Sequence, residues 1–260
     1  MELTNKVALV TGAGSGIGQA AAIRMATAGA RIAALGRTAD DLTQTVDRIK
    51  ADGGEAIAVA ADISVPEEME TALAKIDKKW GRLDVVLANA GINGVWAPIN
   101  DLKPEEWTET LTINLTGTFL TVKYALPLLM KNGGSVIITS SINGTRVFSN
   151  AGASAYSTSK AGQVAFAKMA ALELAKHHIR VNVICPGWIE TEIEDSTEKR
   201  NVEAAEEPRE FPEGSVPLTD GAPGRARQVA ELVLFLASEA SGHISGTEVW
   251  IDGASSLMGV

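Results

Sequence analysis

The feature that most constrains the fold of this sequence is the alternation of short apolar runs with helix-length segments along nearly the whole chain. Seven runs are rich in Val, Ile and Leu and lack polar–apolar alternation, which is typical of strands buried on both faces of a parallel sheet. These runs are residues 6–11, 30–35, 55–60, 83–88, 135–139, 179–184 and 248–251. Helix-length segments lie between them at 17–28, 39–51, 66–79, 104–130, 155–177 and 228–238. The pattern predicts an α/β fold with a doubly wound, seven-stranded parallel sheet and helices on both faces.

The domain organisation predicted from this alternation is one domain over residues 1–260, because no linker rich in Pro, Gly or Ser divides the chain. Residues 190–223 depart from the alternation of strand and helix segments. They contain four prolines and many charges and show little periodicity, which is typical of a structureless stretch. Such a stretch inside a domain is usually functional or disordered, and this one follows the sixth strand, at the edge where ligands bind in such sheets. We predict a substrate lid at 190–223, with a solvated loop as the alternative.

Charge and composition exclude several classes of function. The net charge of −9 would repel a phosphate backbone, so we expect no nucleic-acid partner. The three histidines, His177, His178 and His243, lack metal-ligand spacing, and no apolar run approaches the ~18 residues that span a bilayer. We therefore predict neither a metal site nor a membrane partner. The single cysteine, Cys185, cannot form an internal disulfide, is interpreted as a small buried residue, and favours a reducing, cytoplasmic compartment.

A glycine-rich loop follows the first strand and opens the first helix: Thr11-Gly12-Ala13-Gly14-Ser15-Gly16-Ile17-Gly18. Its spacing is T-G-x-x-x-G-x-G; the pattern G-x-G-x-x-G does not fit from Gly12, because residue 17 is Ile. Glycines let a backbone approach a pyrophosphate closely, and the start of a helix offers free N–H groups and a positive dipole end. The loop therefore predicts a dinucleotide site, with a glycine turn that binds no ligand as the alternative.

Further landmarks follow the loop in order, each near the end of a strand: Asn89-Ala90-Gly91, Tyr156-x-x-x-Lys160 with Ser141 upstream, Pro186-Gly187, and Ser245-Gly246 leading to Asp252-Gly253. With these landmarks the whole chain resembles the short-chain dehydrogenase/reductase family. The resemblance implies a Rossmann fold, hydride transfer between a nicotinamide dinucleotide and a carbonyl or secondary alcohol, and a homotetramer. It implies dinucleotide contacts from Gly12, Ser15, Gly16, Ile17, Gly18, Asp62, Ile63, Asn89, Ala90, Gly91, Tyr156, Lys160, Pro186, Gly187 and Ile189.

The pair Tyr156 and Lys160 carries the chemistry in this interpretation. Residues four apart lie on one face of a helix, and a nearby ammonium lowers the pKa of a tyrosine from about 10. A lower pKa suits a group that gives and takes protons near neutral pH. A solvated surface pair would be the alternative for these two residues alone. By resemblance, the tyrosine exchanges the proton of the substrate oxygen, and the lysine also binds the nicotinamide ribose.

The resemblance assigns two further site residues. Ser141, in Ser141-Ile142-Asn143-Gly144, matches the serine that hydrogen-bonds the substrate oxygen, with Ser140 as the rival. The gap from Ser141 to Tyr156 is a little longer than in the family. Asn114 matches the asparagine that kinks a helix and holds a water next to the lysine. Its apolar surroundings in the sequence favour a buried amide, which must be hydrogen-bonded, over a solvent-facing side chain.

The end of the second strand predicts which dinucleotide binds. NAD sites place an acidic residue there for the ribose 2′-hydroxyl, whereas NADP sites leave room for a basic residue. The strand ends Leu35-Gly36-Arg37-Thr38, and no carboxylate appears before Asp40. Arg37 suits a 2′-phosphate, although residue 15, often basic in NADP-dependent relatives, is Ser. We predict NADP(H) over NAD(H), with a solvent-facing arginine as the alternative.

Two rival functions use related folds. By resemblance, a dinucleotide sensor without catalytic activity typically loses the tyrosine or the lysine, and both Tyr156 and Lys160 are present. A sugar-nucleotide epimerase also uses Y-x-x-x-K, but its glycine spacing differs and its C-terminal substrate domain is longer than 260 residues accommodate. The sequence therefore favours an oxidoreductase.

The substrate class is predicted from charge. Residues 190–213 contain ten acidic and three basic side chains, which gives −7 of the total −9. Such a field would repel anions that approach the cleft. Relatives that reduce acyl groups on an acidic carrier protein hold it with surface arginines, and the matching positions here are Asn132 and Leu172. We predict a small neutral ketone, alcohol or sugar, with Trp96 and Trp188 shaping the pocket or packing in its wall.

Overall fold

Seven strands form one parallel sheet in the computed structural model of the chain, which describes residues 2–206 and 216–258. They are β1 (Val7–Thr11), β2 (Arg31–Gly36), β3 (Ala56–Ala60), β4 (Val85–Ala88), β6 (Gly134–Thr139), β7 (Ile179–Pro186) and β11 (Glu248–Ile251). Their order is β11-β7-β6-β4-β1-β2-β3, and each neighbouring pair is parallel. The chain winds outward from β1 to β3 and then continues from β4 on the other side of β1. The predicted doubly wound, seven-stranded sheet is confirmed.

The helices are α1 (Gly16–Thr27), α2 (Ala39–Ala51), α3 (Pro66–Trp80), α4 (Pro104–Leu111), α5 (Gly117–Leu129), α6 (Ser154–Leu174) and α7 (Ala226–Ala237). The predicted helix over 104–130 is present as a helical run from Pro104 to Leu129, in which a π-helical turn, Thr112–Thr116, joins α4 to α5. In this turn the side chain of Asn114 bonds both the N–H and the C=O of Ile92. Such turns are rare and frequently mark functional sites. None of the described helices is long and apolar enough to cross a bilayer.

Side chains of the sheet pack against helices on both faces. Along β1, Val7 and Leu9 belong to a core shared with α3, α5 and α6, whereas Ala8 and Val10 belong to a core shared with α1, α2 and α7. All four side chains are fully buried. Successive residues of a strand point to opposite faces, so burial of both sets explains why the strands show no polar–apolar alternation. The sheet lies between two helical layers, and its carboxyl edge stays open for ligands.

The segment predicted as a lid contains short elements, so the expected lack of structure was wrong for its described part. The strand β8 (Ile189–Glu190) begins one residue before the predicted lid and ends in it. The lid also contains β9 (Thr197–Lys199) and 3₁₀ turns at Glu192–Ser196, Val202–Ala205 and Pro217–Thr219. The strand β9 pairs with β5 (Gly94–Trp96), and β8 pairs with β10 (Gly224–Arg225). These pairings satisfy backbone polar groups that a structureless segment would leave to water. Residues 207–215 of the predicted lid lie outside the described residues, and the lid role stays a prediction.

Candidate active site

A cavity of about 910 Å³ opens at the carboxyl ends of the strands. Loops that follow β1, β4, β6 and β7 form its wall, because the carboxyl ends of parallel strands meet at one edge of the sheet. Most of the predicted site residues line it: Gly12, Ser15, Gly16, Ile17, Arg37, Asn89, Ala90, Gly91, Trp96, Ser141, Tyr156, Lys160, Pro186, Gly187, Trp188 and Ile189. The other four, Gly18, Asp62, Ile63 and Asn114, do not belong to the cavity wall.

The glycine loop forms a cradle that fits a dinucleotide pyrophosphate. Gly12 has a φ of +67°, and a Cβ there would lie 3.0 Å from the Cα of Ala90. A Cβ at Gly18 would overlap the carbonyl oxygen of Gly12, which explains why this buried glycine belongs to the loop without lining the cavity. The loop is tied to the end of β4, since the Thr11 hydroxyl accepts hydrogen bonds from the N–H groups of Asn89 and Ala90. The Ser15 side chain does not cap the start of α1, so the backbone N–H groups there are open to an anion.

Three side chains meet at the floor of the cavity. Tyr156, Lys160 and Ser141 are each at most 8% exposed, and Ser141 lies close enough to the Tyr156 phenol to lower its pKa. The Lys160 ammonium donates to the carbonyl of Thr139 at 3.0 Å and lies 5.5 Å from the centroid of the Tyr156 ring. The rival serine is engaged elsewhere, because Ser140 Oγ donates to the carbonyl of Lys160 at 2.8 Å. Of the two serines, Ser141 is therefore the one in contact with the tyrosine.

Burial dominates the acid–base properties of this group. It raises the pKa of Tyr156, and the hydrogen bond with Ser141 opposes that rise. Burial also lowers the pKa of Lys160 to about 8, partly opposed by the nearby Cys185. The expectation that the Lys160 ammonium lowers the pKa of the tyrosine below its usual value was wrong for these side chains in the folded chain, because both are desolvated. Lys160 remains mostly a cation at pH 7, so it can still stabilise a negative oxygen near it.

Asn114 lies behind the floor, fully buried in the π-helical turn. Its Oδ1 accepts from the N–H of Ile92 at 2.8 Å, and its Nδ2 donates to the Ile92 carbonyl and to Ser159 Oγ. Its own carbonyl accepts from Thr118 Oγ1 at 2.7 Å and from Gln163 Nε2 at 2.9 Å. The predicted buried, hydrogen-bonded amide is thus present, but two protein donors occupy the carbonyl. A water held by Asn114 next to Lys160 stays a prediction.

Two predicted adenine-side residues, Asp62 and Ile63, lie outside the cavity wall, although the charge of Arg37 on that wall acts on Asp62. The Asp62 carboxylate accepts from Ser64 N at 2.8 Å and from Ser64 Oγ at 2.6 Å. Burial raises the pKa of Asp62, but these hydrogen bonds and the charge of Arg37 together lower it. Ile63 is buried and packs on Gly117 of α5, where a Cβ would come within 2.6 Å of the Ile63 side chain. Arg37 itself is exposed on the cavity wall, directly after β2.

Aromatic side chains form part of the opposite wall. The ring of Trp96 lies 6.3 Å from that of Tyr156 at an interplanar angle of 41°, and its Nε1 donates to the carbonyl of Asn93 at 3.2 Å. Trp188 lines the cavity with 49% of its surface exposed. Trp96 is therefore held in place, whereas much of the Trp188 ring faces solvent.

Several wall residues were missed by sequence reasoning. They are Ile92, Asn93, Thr139, Ile142, Asn143, Val147, Ser149, Asn150, Ser255 and Met258, whereas Thr191, Glu192, Ile193, Glu194 and Ser196 also line the cavity but fall within the predicted lid at 190–223. Thr191 of the predicted lid approaches the glycine loop, because the ends of β1 and β7 share one edge of the sheet; its methyl lies 3.1 Å from a Cβ built on Gly16. Met258 and Ser255 had no comparable signal, since they lie beyond the last strand.

A family model described as "Enoyl-(Acyl carrier protein) reductase" matches residues 12–255. The chain belongs to the short-chain dehydrogenase/reductase family. A 3-ketoacyl-ACP reductase from Sinorhizobium meliloti has a similar solved structure, with 52% identity, a TM-score of 0.93 and coverage of 97% of this chain and 99% of that chain. Glucose 1-dehydrogenase from Gluconobacter oxydans is 33% identical over 98% of this chain and 93% of its own length.

A third relative concerns the cofactor. The solved structure of a 3-ketoacyl-(acyl-carrier-protein) reductase from Brucella melitensis, complexed with NADH, is 28% identical, with a TM-score of 0.86 and coverage of 98% of this chain and 100% of that chain. Together with the family match, these relatives identify the protein as an NAD(P)-dependent oxidoreductase that transfers a hydride between nicotinamide and a carbonyl or secondary alcohol. The Rossmann fold expected from the sequence is confirmed. Nothing in the comparisons supports a dinucleotide sensor.

The buried lysine of this dehydrogenase/reductase predicts a pH-dependent stability. Below pH 8 Lys160 is charged in both the folded and unfolded states, and the folded state carries the full cost of burying that charge. As pH rises from about 8 to 10.5 the folded state loses the proton first, so the wild-type protein gains stability. At ~1.4 kcal/mol per pKa unit, its unfolding free energy should rise by about 3 kcal/mol relative to Lys160→Met.

Urea denaturation at pH 7, 8, 9 and 10 measures this difference. The exposed Lys176 provides the control, since Lys176→Met should leave the difference from wild type flat across the same range. If the difference in unfolding free energy from wild type changed with pH in the same way for both variants, the lowered pKa of the buried Lys160 would be contradicted.

Proposed function

We propose that this enzyme interconverts small neutral ketones and secondary alcohols with NADP(H), and that Tyr156 exchanges the proton of the substrate oxygen. The observation that carries the proposal is the buried contact of Tyr156 with Ser141, beside Lys160, in the same cavity as the glycine cradle. A dinucleotide laid along the cradle would bring its nicotinamide towards this group. The arrangement is that of a proton donor and a hydrogen-bond donor aimed at one oxygen atom.

The roles of the side chains follow from their contacts. When bound, the nicotinamide supplies the hydride for reduction or accepts it for oxidation. Ser141 Oγ and the Tyr156 phenol would hold the substrate oxygen, and in reduction the phenolic proton moves to that oxygen. The Lys160 ammonium, fixed by the Thr139 carbonyl, would stabilise the phenolate that remains and bind the nicotinamide ribose. In oxidation the same steps run backwards. Asn114 would hold the π-helical turn behind this group.

The remaining predicted residues are assigned to the dinucleotide. We propose that the pyrophosphate lies on the glycine loop and that Arg37 pairs with the ribose 2′-phosphate, as a guanidinium can do in a bidentate manner. Asp62 and Ile63 would flank the adenine. The other proposed contacts are Gly12, Ser15, Gly16, Ile17, Gly18, Asn89, Ala90, Gly91, Pro186, Gly187 and Ile189, and Trp96 and Trp188 would contact the substrate.

The preference for a neutral substrate rests on charge. We propose one domain over 1–260 with a substrate lid at 190–223, and two of the acidic side chains of this segment, Glu192 and Glu194, line the cavity. An anion entering there would be repelled. The relative from Sinorhizobium meliloti, a 3-ketoacyl-ACP reductase, favours a second candidate, reduction of acyl groups on a carrier protein. Against that candidate, Asn132 and Leu172 carry no positive charge for an acidic carrier.

A competition between two thioesters separates these candidates. The same β-ketoacyl group is offered at low salt on an acyl carrier protein and on N-acetylcysteamine, which is neutral, with a neutral β-ketoester as a third substrate. We expect kcat/KM with NADPH to be at least about tenfold lower for the carrier-bound group, and the gap to narrow as salt screens the repulsion. Efficient reduction of the carrier-bound group alone would overturn the neutral-substrate proposal.

We also propose a homotetramer in a reducing, cytoplasmic compartment. Of the small residues of α6, Ala167, Ala170 and Ala171 are buried in the protein's own core, so they are not available for close packing between subunits. The outer face of the same helix instead carries the exposed residues Ala161, Ala165, Met169 and Leu172, next to Phe119 of α5. An apolar stripe of this kind supports association with a second copy. The buried Cys185, whose pKa burial raises to about 12, supports an inert thiol.

A further inference from the structure

The segment after β8 is joined to helix α4 by one arginine. The guanidinium of Arg200 bonds both carboxylate oxygens of Glu106, with Nη1–Oε1 at 2.9 Å and Nη2–Oε2 at 2.7 Å, and Nη2 also donates to the carbonyl of Asp101 at 2.7 Å. The side chains are 26% and 13% exposed. Hydrogen bonds from Arg200 lower the pKa of Glu106 to about 2, so the pair stays ionised over any practical assay range. A two-point contact of this kind fixes orientation as well as distance.

The same stretch of chain is bonded to the strand that carries Trp96. The backbone N–H of Arg200 donates to the Trp96 carbonyl at 2.9 Å, and β9 pairs with β5 just before it. Asn93 adds two contacts, from its N–H to Ser196 Oγ at 3.0 Å and from Nδ2 to Thr197 Oγ1 at 2.7 Å. The strand β5 has only three residues, so its position depends on these partners more than on its own pairing.

This connection leads directly to the reacting group, because the Trp96 ring lies 6.3 Å from the ring of Tyr156. We propose that Arg200 is a positioning residue that sets the substrate side of the cavity, holding Trp96 at a fixed distance from Tyr156 through its two-point contact with Glu106. The inference rests on the proposed function, since it concerns the wall against which the carbonyl substrate would be oriented. Arg200 touches neither the floor of the cavity nor the glycine cradle.

Two other charged groups could share this task, and the geometry separates them. Lys199 lies over the Trp96 ring at 5.8 Å but is exposed and has no two-point partner. Glu198 contacts Arg200 only at 3.7 Å and is 68% exposed. Exposed single contacts of this kind contribute little to order. A lysine cannot reproduce the planar fork of an arginine, so Arg200→Lys tests the geometry and not only the charge.

Steady-state kinetics with a neutral β-ketoester test the proposal. For Arg200→Met we expect KM for the ketoester to rise about tenfold or more, because a displaced wall weakens substrate contacts that are equally strong in the ground state and the transition state. We expect kcat to stay within about threefold and the Kd of NADPH within about twofold. Arg200→Lys should fall between wild type and Arg200→Met. The control is Arg24→Met, which breaks the 2.8 Å pair with Glu231 on α7, away from the cavity. If Arg200 only stabilised the fold, Arg200→Met would lower the melting temperature and leave KM unchanged. That result would overturn the proposal.

Hydrogen–deuterium exchange provides a readout that does not depend on turnover. In Arg200→Met the amides of Gly94–Trp96 and of 197–200 should exchange faster than in wild type, while those of β1 and the glycine loop keep their protection. Arg24→Met should leave both regions unchanged. If wild type reduces no ketone, the proposed function fails, yet exchange still decides whether Arg200 orders Trp96. Unchanged exchange at Gly94–Trp96 would overturn the inference even in an active enzyme.

Discussion

Replacing Tyr156 by Phe is expected to lower kcat by about 10²–10⁴-fold, the usual contribution of general acid–base catalysis. The change removes the phenolic hydroxyl next to Ser141 but keeps the buried ring, and Tyr156 is 8% exposed. Affinity for the dinucleotide should therefore stay nearly unchanged. Steady-state reduction of a neutral ketone measures kcat, and fluorescence titration with NADPH measures binding.

The chain offers a matched control, because its only other tyrosine is Tyr124 on α5. Tyr124 packs against the hydrophobic core and does not line the cavity, so Tyr124→Phe should retain wild-type kcat. A Tyr156→Phe variant that keeps more than about a tenth of wild-type kcat would refute the assignment of Tyr156 as the proton-transfer group. A loss of activity with Tyr124→Phe as well would point to a general effect on the fold.

Replacing Arg37 by Asp is expected to shift the ratio of kcat/KM for NADPH to that for NADH by about 10²-fold or more towards NADH. Each hydrogen bond to a charged group contributes ~1.5–3 kcal/mol, and the substitution both removes the guanidinium and adds a carboxylate that repels a 2′-phosphate. The carboxylate can also accept from a ribose 2′-hydroxyl. Arg37 is exposed at the end of β2, so the fold should tolerate the change.

Initial rates with both dinucleotides measure the shift. Arg48→Asp is the control, since it makes the same change of charge on the exposed side of α2, where no cavity residue lies. It should leave the ratio within about twofold of wild type, because a surface charge at that distance is screened. A wild-type enzyme that already prefers NADH by kcat/KM would contradict the proposed pairing of Arg37 with a 2′-phosphate, without any variant.

Local sequence patterns were sufficient to predict features that lie within one continuous stretch of chain. The glycine loop could be predicted because the strand before it, the helix after it and the spacing of Gly12, Gly16 and Gly18 are all contiguous. Tyr156 and Lys160 could be placed together because a helix alone puts residues four apart on one face. The helix around Asn114 and a kink in it were expected, but the π-helical form of the turn could not be predicted, because Asn114 bonds Ile92 and Gln163, which are distant in the sequence.

Neighbouring residues with different environments also needed the tertiary structure. Ser140 and Ser141 are adjacent in extended chain, where successive side chains point to opposite sides, and no local rule states which side faces the tyrosine. Both serines line the cavity, but the fold directs the Ser140 hydroxyl to the backbone of Lys160 and places Ser141 next to Tyr156. The pKa of Tyr156 is a similar case. The direction of its shift depends on burial by many distant residues, whereas the sequence pattern indicated only the effect of the nearby ammonium.

By itself, the sequence determined the doubly wound sheet and predicted that the glycine loop, Tyr156 and Lys160 lie at its carboxyl edge, because the sheet is encoded by periodicity and each of these groups lies within one strand–loop–helix unit. Only the tertiary structure decided the shape of the substrate side of the cavity. The contact between Arg200 and Glu106 joins residues 94 positions apart, and the ring contact between Trp96 and Tyr156 joins the strand β5 to the helix α6. Such contacts depend on how whole elements pack, and packing is a property of the folded chain that no local pattern of residues encodes.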